Sequence, residues 1–398
     1  MIAHVDADSF FASVLQRKHP RLRGKEVLAL GMGGGCVIAA SYEAKAKGVK
    51  TGMRLKDALA LAPGAVHLPS DFTETALASH QIESILEHQG PTLEQMSIDE
   101  WFLDLRSLVG GIPFDLLLWA KDIQQEILHD TGLSVSVGIA PTKLLAKMAS
   151  EYRKPAGLTV IEKRDIETFL SNRPAPAISG IGRKRSLQTK ANRWETAWDI
   201  ATADPEVFTR LFGKPGRDMQ RELQGESISP VAKDTRPQQS ISRCRSFRAT
   251  KDEKHLWAQL LQHLSYCTLK MRTQGSACRG ISVWLRAGYD HHAGGTCKLP
   301  QPSDTEDVLI PFVRRCFQEA FERHTAYTQV GLALWNLAPK GATQFSLFQE
   351  PHHLIKDEKL QQSLDELRRR YGREVVIKGA ALPVHRKKDR HLDLSMLE

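Results

Sequence analysis

Hydrophobic and polar positions alternate through residues 94–105, and two adjacent carboxylates, Asp99 and Glu100, interrupt the alternation. This pattern predicts two antiparallel strands with the carboxylate pair at or near their turn. The elements predicted around this hairpin are, in chain order, a strand at 1–5, an amphipathic helix at 73–90, a helix at 114–129 and a strand at 133–140. Strand, helix, hairpin, helix and strand in this order predict a ferredoxin-like βαββαβ sheet.

A further carboxylate, Asp6, lies at the end of the first predicted strand. In a ferredoxin-like sheet the first strand can lie beside the central hairpin, so we expect Asp6 to meet Asp99 and Glu100. Carboxylates gathered at strand ends are costly unless a cation neutralises them, and their oxygen atoms suit a hard divalent metal. An isolated Asp-Glu pair is more often a solvated acidic turn, so the metal hypothesis depends on the two strand ends meeting.

The segment that precedes the first long helix is predicted to hold two short strands, at 26–30 and 36–39. The glycine run between them lacks the lysine and hydroxyl that follow in a P-loop, and it is therefore predicted to be a hairpin turn. Ser9 is expected to cap a helix that begins at Phe10, because serine is a favoured residue at that position.

A small α+β domain is predicted after residue 240. Its predicted elements are strands at 240–248, 280–286 and 329–337 and helices at 255–272 and 311–324. His291, His292 and Cys297 form an incomplete ligand set, so they are expected to lie in a loop rather than at a metal site. The tail is predicted to hold a helix at 357–371 and a strand at 374–378.

Positive charge is concentrated in three separate blocks of the chain. The 398 residues carry a net charge of +9, and the pI is about 9.2. Residues 17–56 contain ten basic and two acidic residues, whereas residues 183–193 and 236–251 each contain five basic and no acidic residues. One block alone is compatible with a solvated helix face, but three blocks favour contact with a long polyanion such as nucleic acid.

The sequence gives no sign of a membrane or secretory protein. No apolar run approaches the roughly 20 residues of a membrane span, and the N-terminus has neither a basic region nor a cleavage signal. The six cysteines show no CxxC or zinc spacing and are expected to be reduced, structural thiols. We therefore predict a cytoplasmic protein with no membrane partner.

A glycine-containing turn at residues 178–184 is predicted to be a helix-hairpin-helix element, in which glycines let backbone amides approach a phosphate. The basic strand at 240–248 opens the later α+β domain and offers a second surface for nucleic acid. The predicted nucleic-acid contacts are Gly180, Gly182, Arg183, Lys184, Arg243 and Arg245.

Several motifs of this chain occur in the order and spacing of the Y-family, translesion DNA polymerases. They are Val5–Val14 (VDADSFFASV), Ser41–Lys45 (SYEAK), Ser97–Glu100 (SIDE), Val137–Lys147 (VGIAPTKLLAK), Lys154–Gly157 (KPAG) and Gly180–Gly182 (GIG). The chain resembles this family from residue 1 to about residue 348. The resemblance implies an α+β multidomain, right-hand polymerase with a ferredoxin-like palm.

The resemblance also implies a division of the chain into domains. The implied domains are a palm at 1–10 and 73–163, fingers at 11–72, a helical thumb with the helix-hairpin-helix at 164–232, a linker at 233–239, an α+β little finger at 240–340 and a C-terminal tail at 341–398.

By the same resemblance, Asp6, Asp99 and Glu100 match the catalytic, metal-binding carboxylates, and the backbone carbonyl of Ala7 is a further ligand. The implied cofactor is a pair of Mg²⁺ ions, with Mn²⁺ as an alternative. Asp8 lies in the same motif but is given no role, because relatives accept other residues there. Two ions held by three carboxylates are suited to an in-line phosphoryl transfer.

The resemblance implies substrate contacts as well. Phe11 matches the steric-gate aromatic residue beneath the sugar, and Tyr42, Lys45 and Lys154 match positions that hold the incoming triphosphate. The implied activity is template-directed addition of dNTPs to a primer 3′ end, with bypass of damaged bases and no proofreading, in DNA repair and the SOS response. Primer-template DNA and dNTPs are the implied partners.

The tail carries a candidate protein-binding peptide. Gln344–Phe348 resembles the peptide by which bacterial polymerases bind the sliding clamp, and its predicted contact residues are Gln344, Phe345, Leu347 and Phe348. Gly35–Ala39 and the length of the tail resemble the catalytic subunit of bacterial polymerase V, whereas Ser41–Ala44 resembles the polymerase IV branch. An accessory subunit similar to UmuD is therefore a further candidate partner.

Two other functions are compatible with parts of this pattern. A nucleotidyl cyclase also places two metals on a ferredoxin-like sheet, although the basic blocks and the clamp-like peptide argue against one. A polymerase-like scaffold would bind DNA and the clamp with little or no catalysis. The presence of all three carboxylates argues against that second alternative.

Overall fold

The structure is a computed structural model of the chain. It describes residues 1–340 except 32, 91, 109, 233–236 and 289–290, together with residues 351–372 and 375–384, and it describes the side chains of that last part over 360–372 and 375–382. The chain divides into two units at residues 235–236, inside the segment 233–239 predicted to be a linker. The boundaries of the individual domains remain predictions.

The first part of the first unit consists of helices and of strands that form two sheets. They are β1 (Ile2–Ala7), α1 (Phe10–Lys18), β2 (Val27–Leu30), β3 (Val37–Ala40), α2 (Tyr42–Ala46), α3 (Leu55–Leu61), β4 (Val66–Pro69), α4 (Phe72–Gln89), β5 (Leu93–Gln95), β6 (Glu100–Asp104), α5 (Leu116–Thr131), β7 (Val135–Ala140), α6 (Lys143–Tyr152) and β8 (Leu158–Val160). A helical segment follows, with α7 (Ile166–Ser171), α8 (Arg183–Ala191), α9 (Ala197–Thr202) and α10 (Pro205–Leu223).

A five-stranded sheet in the order β5-β6-β1-β7-β8 organises the first unit. β1 lies antiparallel to both β6 and β7, and β5 and β6 form the antiparallel hairpin predicted from the sequence. β8 adds a parallel strand beside β7. The order of the four strands β5, β6, β1 and β7 is that of a ferredoxin-like sheet, so the predicted α+β fold class is confirmed.

Alternation along β1 decides which helical layer each of its side chains faces. Val5 and Ala7 pack in a core with residues of α4 and α5. His4 points to the opposite face, where its Nδ1 lies 2.7 Å from the hydroxyl of Ser150 in α6. Because successive side chains of a strand point to opposite faces, Asp6 lies on the same side as His4. The acidic end of β1 therefore faces α6.

Gly138 in β7 allows α6 to pack directly on the sheet. A Cβ atom at this position would lie 2.2 Å from the carbonyl oxygen of Ala146 and 2.2 Å from the amide nitrogen of Ser150. These contacts are too short for any side chain, so the close approach of helix and strand requires glycine. This approach brings the polar residues of α6 next to the end of β1.

The connection from β1 to α1 differs from the one that we expected. Ser9 has φ 49° and ψ 41°, in the left-handed region, and its side chain does not cap α1. Its hydroxyl instead lies 2.7 Å from Nζ of Lys45, which donates to it. The capping prediction is wrong because the left-handed turn directs the serine hydroxyl to α2 rather than to the first amides of α1.

The helical segment that follows β8 is joined to α6 by a buried carboxylate. Glu222, near the end of α10, accepts hydrogen bonds from the backbone N–H of Leu144 at 3.0 Å and of Ser229 at 3.0 Å. Thr142 donates its hydroxyl hydrogen to the carbonyl of Glu222 at 3.0 Å. These contacts satisfy an otherwise unpaired amide at the start of α6 and fix that helix end in place.

The second unit is a four-stranded sheet with two helices on one face and a further helix after it. Its elements are β9 (Ser240–Thr250), α11 (Glu253–Thr273), β10 (Ser276–Ala287), β11 (His291–Ser303), α12 (Glu306–Ala320), β12 (Tyr327–Pro339) and α13 (Pro351–Tyr371). The strand order is β11-β10-β12-β9, and every neighbouring pair is antiparallel. Within the described part of the chain, each helix is too short or too polar to cross a membrane.

Two predictions for this unit are wrong. His291, His292 and Cys297 do not lie in a loop but in β11, whose register pairs His291 with Ala287 and Cys297 with Ile281. Residues 375–378, predicted to be part of a strand, form no strand in the structure.

Candidate active site

The structure brings the two acidic strand ends together, as the sequence predicted. Asp6 in β1 is the register partner of Glu100 in β6. The backbone N–H of Ala7 donates to the carbonyl oxygen of Asp99 at 2.9 Å, so Asp99 lies at the same end of the sheet. Carboxylate oxygens of Asp6, Glu100 and Glu151 all lie within 4.8 Å of one another. Three converging carboxylates are the hard oxygen ligands that a divalent cation requires.

Glu151 was not expected at this site. It lies on α6, one helical turn after Lys147, and it joins Asp6 and Glu100 in the group of potential ligands. The i, i+4 spacing of Lys147 and Glu151 places both on one face of the helix, and this spacing was the available signal. The carboxylate of Asp99 does not belong to that group. Its Oδ1 accepts a hydrogen bond from the hydroxyl of Ser97 at 2.5 Å.

Two lysines pair with the carboxylates. Lys147 of α6 forms an ion pair with Glu100, and Lys154, in the turn after α6, forms one with Asp6. Burial raises the pKa of Asp6 to about 7, against the opposing effect of Lys154, and the charges of Glu100 and Asp99 raise this pKa further. A cation stabilises the ionised form of such a buried carboxylate, so the residues present fit a divalent metal.

His4 lies beneath the carboxylates with no measurable exposure to solvent. Its Nε2 is 3.8 Å from Oε1 of Glu100. Burial lowers the pKa of His4 well below its ordinary value, and the positive charges of Lys147, Lys154 and Lys143 lower it further. We therefore treat His4 as a neutral ring that packs beneath the site rather than as a counter-charge for Glu100.

The residues predicted to hold the triphosphate lie close to the same strand end. The Tyr42 hydroxyl, at the start of α2, donates to Oδ1 of Asp8 at 3.2 Å. Nζ of Lys45 lies 4.5 Å from the centre of the Tyr42 ring. Lys154 reaches the site from the other side, through its ion pair with Asp6. Side chains from two distant segments of the chain thus border the carboxylates.

Phe11 is half-buried at the start of α1. Its ring meets the Phe72 ring edge-on, with the ring centres 5.9 Å apart, and the centre of the Phe10 ring lies 6.1 Å away. Phe10 is almost fully buried, at 2% exposure, whereas Phe11 keeps part of its ring in solvent. The structure therefore separates a core phenylalanine from a neighbour that is only half-buried.

The predicted DNA contacts fall on two surfaces of different kinds. Gly180 has φ 101°, in the region that favours glycine, and Gly182 immediately precedes α8. Arg183 and Lys184 are exposed in the first turn of that helix. The turn before it is a short 3₁₀ helix at Ala175–Ala177, so the first half of the predicted helix-hairpin-helix is brief. The role of these residues remains a prediction.

Arg243 and Arg245 lie on the face of β9 that is directed towards α11. The guanidinium of Arg243 stacks 4.2 Å from the centre of the Tyr266 ring. Both arginines lie near His263 of α11, whose pKa is lowered to about 4 by burial and by these two positive charges. The Arg243 side chain is therefore partly engaged in packing, and DNA binding by the two arginines remains a prediction.

Because the imidazole of His263 is buried, we predict that the protein loses stability in acid. The folded protein keeps His263 neutral down to about pH 4, whereas the unfolded chain binds a proton below about pH 6.5. Stability is therefore lost as the pH falls from about 6.5 to 4, by about 3 kcal/mol from this residue between pH 7 and pH 4. Denaturant unfolding at pH 7 and pH 4 should show that the free energy of unfolding falls less in His263→Gln than in the wild type. His324→Gln, at an exposed histidine, should show the same fall as the wild type. Equal losses in the wild type and His263→Gln would contradict this assignment.

The candidate clamp peptide, with its contact residues Gln344, Phe345, Leu347 and Phe348, lies outside the residues that the structure describes. Its role remains a prediction.

Comparison with known proteins identifies the family. The model of the impB/mucB/samB family matches residues 5–151, and the model of the family's C-terminal domain matches residues 238–347. The chain is 30% identical to DNA polymerase IV 1 of Halalkalibacterium halodurans over 98% of this chain and 95% of that protein. It is 31% identical to Protein SamB of Salmonella typhimurium, over 92% of this chain and 89% of that protein.

A solved structure has the same fold. A Y-family DNA polymerase chimera of Dbh and Dpo4 superposes with a TM-score of 0.75 at 26% identity, over 84% of this chain and 98% of the chimera. The chain belongs to the impB/mucB/samB family, which is the Y family of DNA polymerases. The expectation from the sequence is confirmed, and both the cyclase and the non-catalytic scaffold are disfavoured.

Proposed function

We propose that this chain adds deoxynucleotides to a primer 3′ end at the site formed by Asp6, Asp99 and Glu100, with two Mg²⁺ ions, or Mn²⁺ in their place. Its membership of the Y family makes it a DNA-directed DNA polymerase that acts in translesion synthesis. The observation that carries the assignment of the site is the register that pairs Asp6 with Glu100 on the side of the sheet facing α6. When bound, the metal ions activate the primer hydroxyl and neutralise the pyrophosphate leaving group.

The chain's own residues then have distinct tasks. Asp6, Asp99 and Glu100, with the carbonyl of Ala7, would hold the ions. Glu151 is a further oxygen ligand within reach of the same position, because its carboxylate lies within 4.8 Å of those of Asp6 and Glu100. Asp6 and Glu100 are carried by the sheet, Glu151 by a helix packed on it, and Asp99 by the turn before β6, where its carbonyl accepts the N–H of Ala7. Their backbone positions are therefore set before substrate binds.

The substrate is held by residues on either side of the carboxylates. Tyr42, Lys45 and Lys154 would contact the triphosphate, where the two lysines offset its negative charge. Phe11 would lie beneath the sugar, and its partial exposure supports this role. DNA would be bound by the basic blocks, including the turn that carries Gly180, Gly182, Arg183 and Lys184, and by Arg243 and Arg245.

Two protein partners complete the proposal. The sliding clamp would bind Gln344–Phe348, and a UmuD-like accessory subunit is a further candidate because Gly35–Ala39 and the length of the tail resemble the catalytic subunit of bacterial polymerase V. A cytoplasmic location follows from the need for template DNA and dNTPs.

Primer extension by the purified chain tests the proposed activity. With Mg²⁺ and all four dNTPs, a labelled primer annealed to a longer template should be extended, and chelation of the metal should stop extension. Asp99→Ala should bind the same primer-template without extending it. A wild-type chain that binds DNA but adds no nucleotide would contradict the proposal.

A separate prediction concerns the role of the candidate clamp peptide in stimulation by the clamp. Deletion of Gln344–Phe348 should leave synthesis on short templates unchanged and should abolish stimulation by the clamp, because tethering acts by raising the effective concentration of polymerase at the primer end. Leu382→Ala, at an exposed apolar residue of the same C-terminal segment, is the matched control and should retain stimulation. If the deletion variant is stimulated as strongly as the wild type, the peptide has no role in clamp binding.

A further inference from the structure

Asp8, two residues after Asp6, is a buried carboxylate to which the sequence motif gives no role. It is 1% exposed. Its Oδ1 accepts hydrogen bonds from the hydroxyls of Tyr42 at 3.2 Å and Ser136 at 2.8 Å, and its Oδ2 accepts one from the backbone N–H of Ala156 at 2.8 Å. Both oxygens are therefore occupied by donors of the chain itself, and Asp8 does not belong to the group of potential metal ligands.

The three donors come from three different parts of the fold. Tyr42 begins α2, Ser136 lies in β7, and Ala156 belongs to the turn between α6 and β8. Ser136 extends the connection, because its hydroxyl also accepts the backbone N–H of Gly157 at 3.2 Å. One carboxylate thus joins α2, the central sheet and this turn in a single hydrogen-bonded network.

The turn held by Asp8 has an unfavourable backbone conformation. Ala156 has φ 51°, in the left-handed region, which residues other than glycine adopt at a cost. The next residue, Gly157, has no room for a side chain, since a Cβ atom there would lie 2.4 Å from the carbonyl oxygen of Arg153. Such a turn keeps its shape only when its surroundings hold it, and the bond from Ala156 N–H to Asp8 does so.

We propose that Asp8 is a positioning residue for nucleotide binding, in that its carboxylate sets the Tyr42 ring and the Lys154 turn relative to the metal-binding end of β1. This inference rests on the proposed contact of Tyr42 and Lys154 with the triphosphate. Asp8 acts through these two residues and touches neither the metal nor the substrate.

The electrostatics of Tyr42 agree with this arrangement. Burial raises the pKa of the Tyr42 hydroxyl, and the nearby charge of Asp8 raises it further, so the hydroxyl keeps its proton and remains a donor to Asp8. That bond fixes the direction of the ring, over which Lys45 lies. Loss of Asp8 would free the ring and, on the opposite side, the turn that carries Lys154.

Two substitutions of Asp8 should have different effects. Asp8→Ala leaves the Ala156 N–H and the Tyr42 hydroxyl without their acceptor, and the Kd of dNTP should rise about tenfold or more. Asp8→Asn keeps a carbonyl for Ala156 and an amide that can donate to either hydroxyl, so the Kd should stay within about threefold. The rate at saturating dNTP should fall no more than about threefold in either variant, because the carboxylates of the metal site are unchanged.

The test measures equilibrium dNTP binding to each variant on a primer that ends in a dideoxynucleotide, together with the single-turnover rate on a normal primer and the melting temperature. Thr131→Ala is the structural control, since it removes a buried hydroxyl that donates to the carbonyl of Ile127 and accepts the N–H of Leu133. The double variant Asp8→Ala/Tyr42→Phe should bind dNTP more tightly than the product of the two single effects predicts. Rescue by Asp8→Asn and this coupling would support the proposal.

Three results would overturn it. An unchanged dNTP Kd in Asp8→Ala, with only a lowered melting temperature as in Thr131→Ala, would assign Asp8 to the core. A rate that collapses while the Kd is unchanged would make Asp8 part of the metal site. Unchanged Kd values in both Tyr42→Phe and Lys154→Ala would show that the triphosphate contacts are wrong, while primer extension by the wild type would still support the polymerase activity.

Discussion

Replacement of Glu100 or Asp99 by alanine is expected to reduce nucleotide addition by a factor on the order of 10³ or more, with little change in the affinity for primer-template DNA. Glu100 faces Asp6 across β1 and β6 and is paired with Lys147. Its removal leaves a lysine without its partner and takes away a ligand of the proposed metal centre. Asp99 and Glu100 are not part of the basic blocks that are proposed to bind DNA, so DNA binding should persist.

Single-turnover insertion of one dNTP, with DNA affinity measured in parallel, checks this prediction. The matched control is Asp104→Ala, which removes a carboxylate from the other end of β6, where Asp104 pairs with Arg106 rather than with the site. That control should insert dNTP within about threefold of the wild-type rate. Normal insertion by Glu100→Ala or Asp99→Ala would show that these carboxylates do not hold the catalytic metals.

The second large effect is expected at Phe11. A ring beneath the sugar leaves space for a 2′-hydrogen but not for a 2′-hydroxyl, and it offers the hydroxyl no hydrogen bond. Phe11→Ala should therefore raise rNTP insertion by about 10² or more while keeping dNTP insertion within about tenfold, a change in discrimination on the order of 3 kcal/mol. Insertion efficiencies for matched rNTP and dNTP pairs measure this ratio.

Phe10→Ala is the matched control, because Phe10 precedes Phe11 in α1 but is almost fully buried. Its loss should create a cavity that lowers stability by roughly 3–5 kcal/mol and affects insertion of both sugars alike. Phe11 is only half-buried, so Phe11→Ala should cost less stability. If Phe11→Ala has a lowered melting temperature but an unchanged ratio of rNTP to dNTP insertion, Phe11 is a core residue with no role in sugar discrimination.

The central sheet could be predicted from the sequence because its strands alternate strongly and its carboxylates mark strand ends. The order of elements predicted the ferredoxin-like arrangement, and that arrangement predicted that Asp6 lies close to Glu100, as it does in the structure. Ser9 failed as a cap because its left-handed backbone is a property of the turn between β1 and α1, which the local sequence does not reveal. Residue preference alone therefore predicts the helix but not the geometry of its start.

β11 was missed because its sequence contains residues that usually interrupt strands. Gly295 occurs in it since a Cβ atom there would lie 2.3 Å from the carbonyl oxygen of Cys316 in α12, a contact visible only in three dimensions. Pro300 and Pro302 are accommodated because β11 is an edge strand of its sheet. These exceptions reflect tertiary contacts, which override the local signals.

The site was predicted less completely than the sheet. The motif Val137–Lys147 ends one helical turn before Glu151, so Glu151 was not connected with the carboxylates. Asp8 was left aside because relatives accept other residues at its position, and its partners Tyr42, Ser136 and Ala156 are too far from it in sequence to be recognised as partners. A motif shows which residues recur together, whereas the hydrogen bonds of a buried group show what that group holds.

The most direct test of the central claim is the position of the metal ions in the assembled enzyme. A crystal of the chain with Mn²⁺, primer-template DNA ending in a dideoxynucleotide and the next dNTP would locate them by anomalous scattering. The proposed function predicts two peaks, each within ligand distance of at least two of Asp6, Asp99 and Glu100, with one of them also touching the triphosphate. Peaks that contact none of these three carboxylates, although the dNTP is bound, would contradict it.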